Sequence, residues 1–415
     1  MDLFDGHIHS IHSLDGKMTF EEILKKSPCR VMSITDHDTM LGYSKYLLTQ
    51  NLPDKKATLI RNNYSTLIPG VEVTCRIPDV LRKDGQKTLK VHLLVYMADY
   101  DSVFNKILKL KYKNDQQYEF GLAFHLGNKL GFKVNKVQIQ NFINEQQKNH
   151  PEFQHLGKKN ILDFLSYIKY DYTTHTREVA NAIKSYESKQ IERLDLDAYE
   201  IIKLANNAGG FCILAHPGNN LLKAQGNAKD VLKLLIKNGI SGFEYECNSN
   251  NERMRNTLLN VVKNNKRPLL LTGGSDVHTI THKANIGYQK GREIRLSDNT
   301  EFYKLCKALN KKKLHQPLSK AEQKMIDSYI LPHNGKIDTQ LIYEKYKSQY
   351  IQLTSNFVNM IKPSQANRRK VDKLENTCKK YAQKMKLQEQ VNLDIDEIID
   401  EENIYESSDE NTLTK

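Results

Sequence analysis

Seven short runs of apolar and β-branched residues punctuate the first 280 positions of the chain, at 3–9, 30–35, 66–73, 89–96, 210–215, 240–247 and 268–272. Each has the length of a strand. Most are followed or separated by helical patterns. Segment 19–26 carries Glu21 and Glu22 where the first turn of a helix favours acidic side chains, and the pattern over 198–207 stops at Gly209-Gly210, a C-cap into the next strand. Strands alternating with helices predict a parallel sheet or barrel. Residues 97–209 interrupt this alternation with a mostly helical stretch, in which 120–130 and 159–168 place apolar residues three and four apart. This reads as an insertion between two barrel strands. After residue 300 the pattern changes to lysine-rich amphipathic helices at 301–312, 319–330, 338–361 and 365–388, broken near Pro332 and Pro363. The expected organisation is a barrel over 1–300, a helical extension over 301–388 and an acidic, disordered tail over 389–415. No internal repeat is evident.

The polar residues that break the apolar runs carry the chemistry. The first run ends Asp5-Gly-His-Ile-His-Ser10, and side chains two apart on a strand share a face, so His7 and His9 can reach one ion. Alone this pair is weak evidence, because two histidines on a strand are more often a surface coincidence. Asp15 follows in a Ser-Leu-Asp-Gly turn. The second run ends Ser33-Ile-Thr-Asp-His-Asp-Thr39. Asp36 and Asp38 there have an ordinary reading as helix caps, whereas His37 has none and makes a good imidazole ligand. Glu72 sits inside Pro69-Gly-Val-Glu-Val73, where a buried carboxylate wants a cation, either Arg or a metal. His92 lies among Val and Leu, a setting in which a lone histidine is more often a satisfied core residue. His216 ends Ile213-Leu-Ala-His, and Asp276 and His278 in Gly273-Gly-Ser-Asp-Val-His278 repeat the two-residue spacing. The sum decides the matter. Nine competent ligands (His7, His9, Asp15, His37, Glu72, His92, His216, Asp276 and His278) fall in or just after successive strands, and the carboxyl ends of strands are the functional face of parallel barrels. Six histidines with three carboxylates suit several borderline divalent ions bridged by oxygen ligands.

Composition sharpens this in two ways. The net charge is +13, yet 389–415 holds ten acidic residues against one Lys, so the first 388 residues carry +22. Such a field favours polyanions such as nucleotides, nucleic acid or phosphate esters, although a Lys-rich surface alone would look the same. The six cysteines (Cys29, Cys75, Cys212, Cys247, Cys306 and Cys378) form no C-x-x-C pair, so neither a zinc ribbon nor a disulfide framework is expected. No secretion signal or membrane span is read, and a reducing cytoplasm is the expected location.

The segments DGHIHS, ITDHDT, PGVEV, LKVHLLVY, LAHPGN and GGSDVH resemble the successive motifs of the PHP (polymerase and histidinol phosphatase) family across nearly all of 1–280, apart from the insertion. The resemblance implies a distorted seven-stranded, TIM-like β/α barrel with a site for two to three divalent ions (manganese, iron or zinc). By motif, His7, His9, Glu72 and Asp276 would hold one ion. Glu72 would bridge to a second, also held by His92 and His216, and Asp15, His37 and His278 would hold the third. Bound ions would lower the pKa of a water and clamp phosphate oxygens, so hydrolysis needs no protein nucleophile, and Cys75 and Ser275 are given no such role.

The long insertion resembles the group acting on nucleoside bisphosphates and short oligonucleotides more than compact histidinol phosphatases. Within it, Arg177 and His175 in Thr174-His-Thr-Arg-Glu-Val-Ala180 are candidates to touch a substrate phosphate. Two alternatives stand beside this reading: a small-molecule phosphomonoesterase, and a nucleic-acid-binding or docking protein that uses the barrel as scaffold. Basic stretches at 367–373 and 378–380 would track a nucleic-acid backbone or simply be solvated. Tyr343, Tyr346 and Tyr350 share a helix face that reads as a packing stripe before it reads as a base-stacking platform. The sequence leaves the oligomeric state open.

Overall fold

In the computed structural model the described residues are 2–361, without 14, 52–54, 63–64, 150–155, 157–159, 188–192, 282–284 and 332–337. Seven strands organise the fold: β1 (Leu3–Ile8), β2 (Cys29–Ile34), β3 (Gly70–Ile77), β4 (Leu89–Tyr96), β5 (Phe211–Leu214), β6 (Gly242–Glu246) and β7 (Leu270–Gly273). The apolar run at 66–73 is split, because Thr66–Leu67 pairs with β2 whereas β3 begins after Pro69. Proline has no N–H to offer a ladder, so a strand boundary there is natural.

β1 and β2 are parallel, and β7-β6-β5-β4-β3 form the main run of a six-stranded sheet completed by Leu196–Asp197. The ends of these sheets meet through backbone bonds: Ile8 bridges Val277, His37 bridges Glu72, the His9 N–H donates to the Val277 carbonyl (3.0 Å), and the Asp38 N–H donates to the Glu72 carbonyl (2.8 Å). The result is a mixed α/β fold rather than a wholly parallel one. β4 runs antiparallel to both β3 and β5. Its connection to β3, residues 78–88, contains no helix, and strands joined without a crossover element pair antiparallel.

The alternation along β3 and β4 places the functional residues. Val71, Val73, Cys75 and Ile77 on β3, with Leu89, Val91, Leu93 and Val95 on β4, face one apolar cluster. The opposite face of β4 runs Lys90, His92, Leu94, Tyr96, and Leu94 and Tyr96 enter a second cluster with Phe4, Val31, Phe211, Ile213 and Leu270. His92 thus stands directly above an apolar floor. That floor is closed by the helix over Thr300–Lys313.

The helices, in chain order, are α1 (Phe20–Lys26), α2 (Leu41–Thr49), α3 (Val103–Lys129), α4 (Lys136–Asn149), α5 (Asn160–Tyr167), α6 (Thr176–Glu187), α7 (Ala198–Asn207), α8 (Pro217–Leu221), α9 (Ala228–Lys237), α10 (Glu252–Lys263), α11 (Thr300–Lys313), α12 (Lys320–Tyr329) and α13 (Thr339–Met360). α1 opens with a complete capping box, the Thr19 hydroxyl accepting from the Glu22 N–H while the Glu22 carboxylate accepts from the Thr19 N–H. α3 to α6 build the insertion. Its inner faces form two further clusters, one of which takes in Ile11 from the loop after β1 together with Phe142 and Phe164.

Met1–Met360 form one compact unit. α11 buries Phe302 against Phe4, Tyr96 and Phe211, with ring centroids 5.5, 4.8 and 5.6 Å away. Tyr346 on α13 is buried: its hydroxyl donates to Glu200 (2.5 Å) and accepts from the Asp197 N–H (2.9 Å), so that side chain packs. The helix expected at 365–388, the basic stretches at 367–373 and 378–380, the acidic tail at 389–415 and the breaks at Pro332 and Pro363 lie outside the described residues. Among the described residues no helix is long and apolar enough to cross a membrane.

Because α11 seals the floor under His92, Phe302→Ala is expected to cost ~3–5 kcal/mol and to lower the thermal midpoint by several degrees in differential scanning fluorimetry. A wild-type midpoint would show that α11 is only peripheral to the strands.

Candidate metal centre

The nine sequence-selected residues come from separate segments, and the structure brings them into one continuous cluster. Nε2 of His7 and Nε2 of His9 are 3.0 Å apart. Glu72 Oε2 lies 3.2 Å from each of them and 3.1 Å from His37 Nδ1. Asp276 Oδ1 is 3.5 Å from His7 Nε2 and 3.3 Å from His9 Nε2. The other oxygen of Glu72, Oε1, turns away from this group towards His92 Nδ1 (2.9 Å) and His216 Nε2 (2.8 Å). At the outer side, Asp15 Oδ2 is 3.1 Å from His278 Nε2 and 3.8 Å from His37 Nε2.

Three sets of ligand atoms lie mutually within 4.8 Å: His7, His9, Glu72 and Asp276; His9, Asp15, His37 and His278; and His37, Glu72 and His92. Ligands of one tetrahedral ion at about 2.1 Å are about 3.4 Å apart, which is the spacing found within the first set.

The hydrogen bonds around the ring explain why the lone pairs converge. His7 Nδ1 faces Glu244 Oε1 (3.2 Å), so it carries the proton and leaves Nε2 bare. His9 Nδ1 faces Ser13 Oγ (3.1 Å); that hydroxyl donates to Asp15 Oδ1 (3.1 Å), accepts from the His37 N–H (3.0 Å) and so accepts from His9 as well. His278 Nδ1 donates to the Asp276 carbonyl (3.0 Å), again leaving Nε2 free. These tautomers are assigned from the partners. With both rings neutral, two bare imidazole nitrogens 3.0 Å apart beside a carboxylate repel unless a proton or a metal cation stands among them. Among the described residues, Glu72 Oε2 and His278 Nε2 also have no hydrogen-bond donor, though both atoms are buried. The residues therefore fit divalent metal ions.

Electrostatics and backbone geometry point the same way. Burial opposes charge on His7, but Glu72, Glu244 and Asp276 overcome it and hold its pKa well above the ordinary imidazole value. Burial likewise opposes charge on His216, and Glu72 outweighs it. His92 is pushed down to about 3 by burial in spite of Glu72. Burial would raise Glu72, Asp15 and Asp276, yet the surrounding imidazoles hold all three below the usual carboxylate range. Three residues at strand ends in this cluster adopt the left-handed region without being glycine: Asp38 (φ 57°), His216 (φ 27°) and Asp276 (φ 55°). Each costs roughly 1–3 kcal/mol, and together they aim side chains that a regular strand exit would send elsewhere.

Sequence reasoning passed over the supporting residues. Glu244 is fully buried; its Oε2 accepts from the His216 N–H (2.6 Å) while Oε1 holds His7. One carboxylate thus orients two candidate ligands. The signal was available, because Glu244 interrupts an apolar strand just as Glu72 does. Asp36 takes the Ser10 N–H (2.6 Å) and hydroxyl (2.7 Å), and Asp5 takes the N–H groups of His7, Ser275 and Gly287, so both tie loops together.

Cys75 lies on the face of β3 opposite Glu72, with its thiol pushed up by burial. Ser275 Oγ faces the His7 carbonyl (3.4 Å) and the Asp5 carboxylate. His175 and Arg177 are exposed at the start of α6. The ring of His175 meets Thr174, the Asp171 carbonyl and Tyr170, and the structure does not bring either residue against the nine.

No family model and no curated protein matches the sequence. Among solved structures, the chain is similar to a protein from Bifidobacterium adolescentis with a provisional metal-dependent phosphoesterase assignment, at 22% identity and TM-score 0.49, covering 70% of this chain and 93% of that one. It is also similar to an amidohydrolase from Chromobacterium violaceum with bound sulfate (16%, TM-score 0.43, 72% and 96% covered) and to the lesion-specific endonuclease PfuEndoQ from Pyrococcus furiosus (16%, TM-score 0.31, 67% and 48% covered). Similarities of this size carry no argument about this chain's chemistry.

Replacing the shared carboxylate, Glu72→Gln, is expected to reduce bound manganese per chain to less than half of wild type by elemental analysis, with the circular dichroism spectrum kept. Retention of the full content would remove Glu72 from the centre. Metal uptake should also depend on pH. The raised pKa of His7 keeps a proton on the ring to higher pH than in free imidazole, so ions compete with that proton; affinity should weaken as pH falls from about 8 to about 6, with protons released on binding. The carboxylates, held low, stay ionised throughout this window and add no slope. Titration of manganese against a chromophoric chelator at each pH would read this, and a flat profile would contradict it.

Proposed function

We propose that this chain is a PHP-type metal-dependent phosphoesterase that hydrolyses phosphate esters of nucleotides or short oligonucleotides. The observation that carries the reading is Glu72: fully buried, it presents one oxygen to His7, His9 and His37 and the other to His92 and His216. A carboxylate divided in this way suits a bridge between ions, and multinuclear centres are suited to in-line displacement at phosphorus. The nine clustered residues are the proposed ligands of two to three divalent ions, with manganese, iron and zinc all compatible with a His and carboxylate set. The backbone bonds between β1 and the segment after β7, and between the segment after β2 and β3, support a ring of the seven strands as a distorted barrel. We take residues 1–300, with the insertion at 97–209, as the catalytic region.

When bound, such ions supply an activated water and neutralise charge on the phosphoryl oxygens. The chain's own residues do the rest. Glu244 keeps the proton of His7 on Nδ1 and Ser13 keeps that of His9 on Nδ1, so both Nε2 atoms stay available. In hydrolysis the oxygen of water bonds to phosphorus, the ester P–O bond breaks, and the departing alkoxide takes up a proton. The charge of +22 on the first 388 residues favours polyanionic substrates, which is why nucleotides and oligonucleotides are placed ahead of small monoesters. His175 and Arg177 remain proposed substrate contacts.

The test is a panel of 5′-phosphorylated RNA oligomer, adenosine 3′,5′-bisphosphate and histidinol phosphate with added manganese, comparing wild type with His9→Ala. Wild type is expected to turn over one of the first two best, and His9→Ala to lose at least about a hundredfold. Preference for histidinol phosphate would move the assignment to a small-molecule monoesterase. No turnover by metal-loaded protein would favour a scaffold role.

A further inference from the structure

α3 of the insertion carries a line of polar residues where a packed helix would be apolar. Lys111, Asn114, Asp115 and Glu119 recur at three- and four-residue spacing, and they are only 2%, 4%, 1% and 1% exposed. Burying charge is costly unless every member is paired, so such a line invites the question of what it holds.

Its partners lie at both ends of the insertion and at the candidate metal centre. Lys111 Nζ is 2.5 Å from Asp115 Oδ2 and 3.8 Å from Asp38 Oδ2. Arg193, beyond α6, pairs with Glu119, approaches Asp115 Oδ1 at 3.8 Å and stacks 4.1 Å from the centroid of Tyr118. Asn114 Oδ1 accepts from the Leu194 N–H (2.6 Å).

Asp38 is where this network reaches the centre. It follows His37, sits in the left-handed region (φ 57°), donates its N–H to the Glu72 carbonyl (2.8 Å) and accepts from the Thr74 N–H through Oδ1 (2.8 Å). Its backbone and one carboxylate oxygen therefore pin His37 beside Glu72, and the other oxygen faces Lys111. Lys111 reaches the carboxylates of both Asp38 and Asp115, nearer to each than Arg193, which approaches Asp115 from its other oxygen. Take it away and these two buried carboxylates repel more strongly, with the more distant Arg193 and Lys90 left to balance them, while the strained Asp38 keeps only its bonds to the Glu72 carbonyl and the Thr74 N–H.

We propose that Lys111 is a positioning residue of the metal centre: acting through Asp38, it fixes His37 and Glu72, so that the insertion helix sets metal affinity. This rests on the metal-centre reading above. Its ligand class is a divalent cation.

The test uses full-length protein stripped of metal and titrated with cobalt(II), whose visible absorption reports coordination geometry. Lys111→Met is expected to weaken cobalt binding about 10–100-fold and to alter the spectrum, and Lys111→Arg to recover most of both. Asp38→Asn is expected to show the same loss, and the Lys111→Met/Asp38→Asn double variant to be no worse than either single one, because the two act along one path. Wild-type affinity and spectrum in Lys111→Met, or additive losses in the double variant, would overturn the proposal. Should Lys111→Met fail to fold, Asp38→Asn decides: unchanged cobalt binding there overturns it equally. A wild-type protein that binds no cobalt would instead refute the metal-centre reading itself.

Discussion

A carboxylate with no exposure to solvent must be balanced by positive charge, and Glu72 is that carboxylate here. No Lys or Arg pairs with it among the described residues; its neighbours are imidazoles on every side. Imidazoles balance a carboxylate in two ways, by taking up protons or by sharing a cation with it. The hydrogen bonds choose between these. Glu244, Ser13 and the Asp276 carbonyl occupy the Nδ1 side of His7, His9 and His278, turning their remaining nitrogens inward. The extra proton that the surrounding carboxylates favour on His7 serves one inward nitrogen, whereas a shared ion satisfies several at once.

That constraint accounts for features elsewhere in the molecule. Ligand atoms must meet at a point, but they arrive on strands that differ in direction, since β4 opposes its neighbours. Regular strand exits would not aim them alike. The left-handed residues Asp38, His216 and Asp276 supply the correction, and each is held through its N–H: Asp38 donates to the Glu72 carbonyl, His216 to the Glu244 carboxylate, and Asp276 to the His7 carbonyl. Strain at a site persists only where the surroundings over-determine it. The sealed apolar floor beneath His92 is part of those surroundings.

Much of this was legible in the sequence, and for a physical reason. A titratable side chain in an apolar run conflicts with its environment, and nine such conflicts at strand ends add up. The seven apolar runs mark the seven strands to within a few residues. What stayed hidden depends on pairing. The reversal of β4 is encoded only by the lack of a helix over 78–88, a weak signal beside a strong strand pattern. Glu244 obeyed the same rule as Glu72, but it stands two residues before Glu246 in a run read only as a strand, and its full burial shows only in the fold. Lys111 was invisible because one more lysine in a lysine-rich helix reads as surface. His175 and Arg177 were picked out by resemblance, since no clash between a titratable side chain and an apolar setting marks them; both are exposed at the start of α6.

The insertion then takes on a meaning that its helical pattern did not suggest. A surface appendage would present charge to solvent and apolar residues to the strands it packs on. α3 does the reverse at Lys111, Asp115 and Glu119, while Ile11 of the ligand-bearing loop after β1 is packed into the insertion's own core, and the Tyr112 hydroxyl donates to the His12 carbonyl (3.1 Å). Two of the loops that carry candidate ligands, those with Asp15 and with His37, are therefore braced from the insertion and not only from the strands that precede them. An apolar contact would brace a loop as firmly, but it tolerates sliding. Paired buried charges do not, because any shift leaves one unpaired. For a centre that requires several nitrogens and oxygens to meet within a few ångströms, resistance to sliding is the property that matters, and it is a physical reason for a helix inserted at this point in the chain to carry its charges inward.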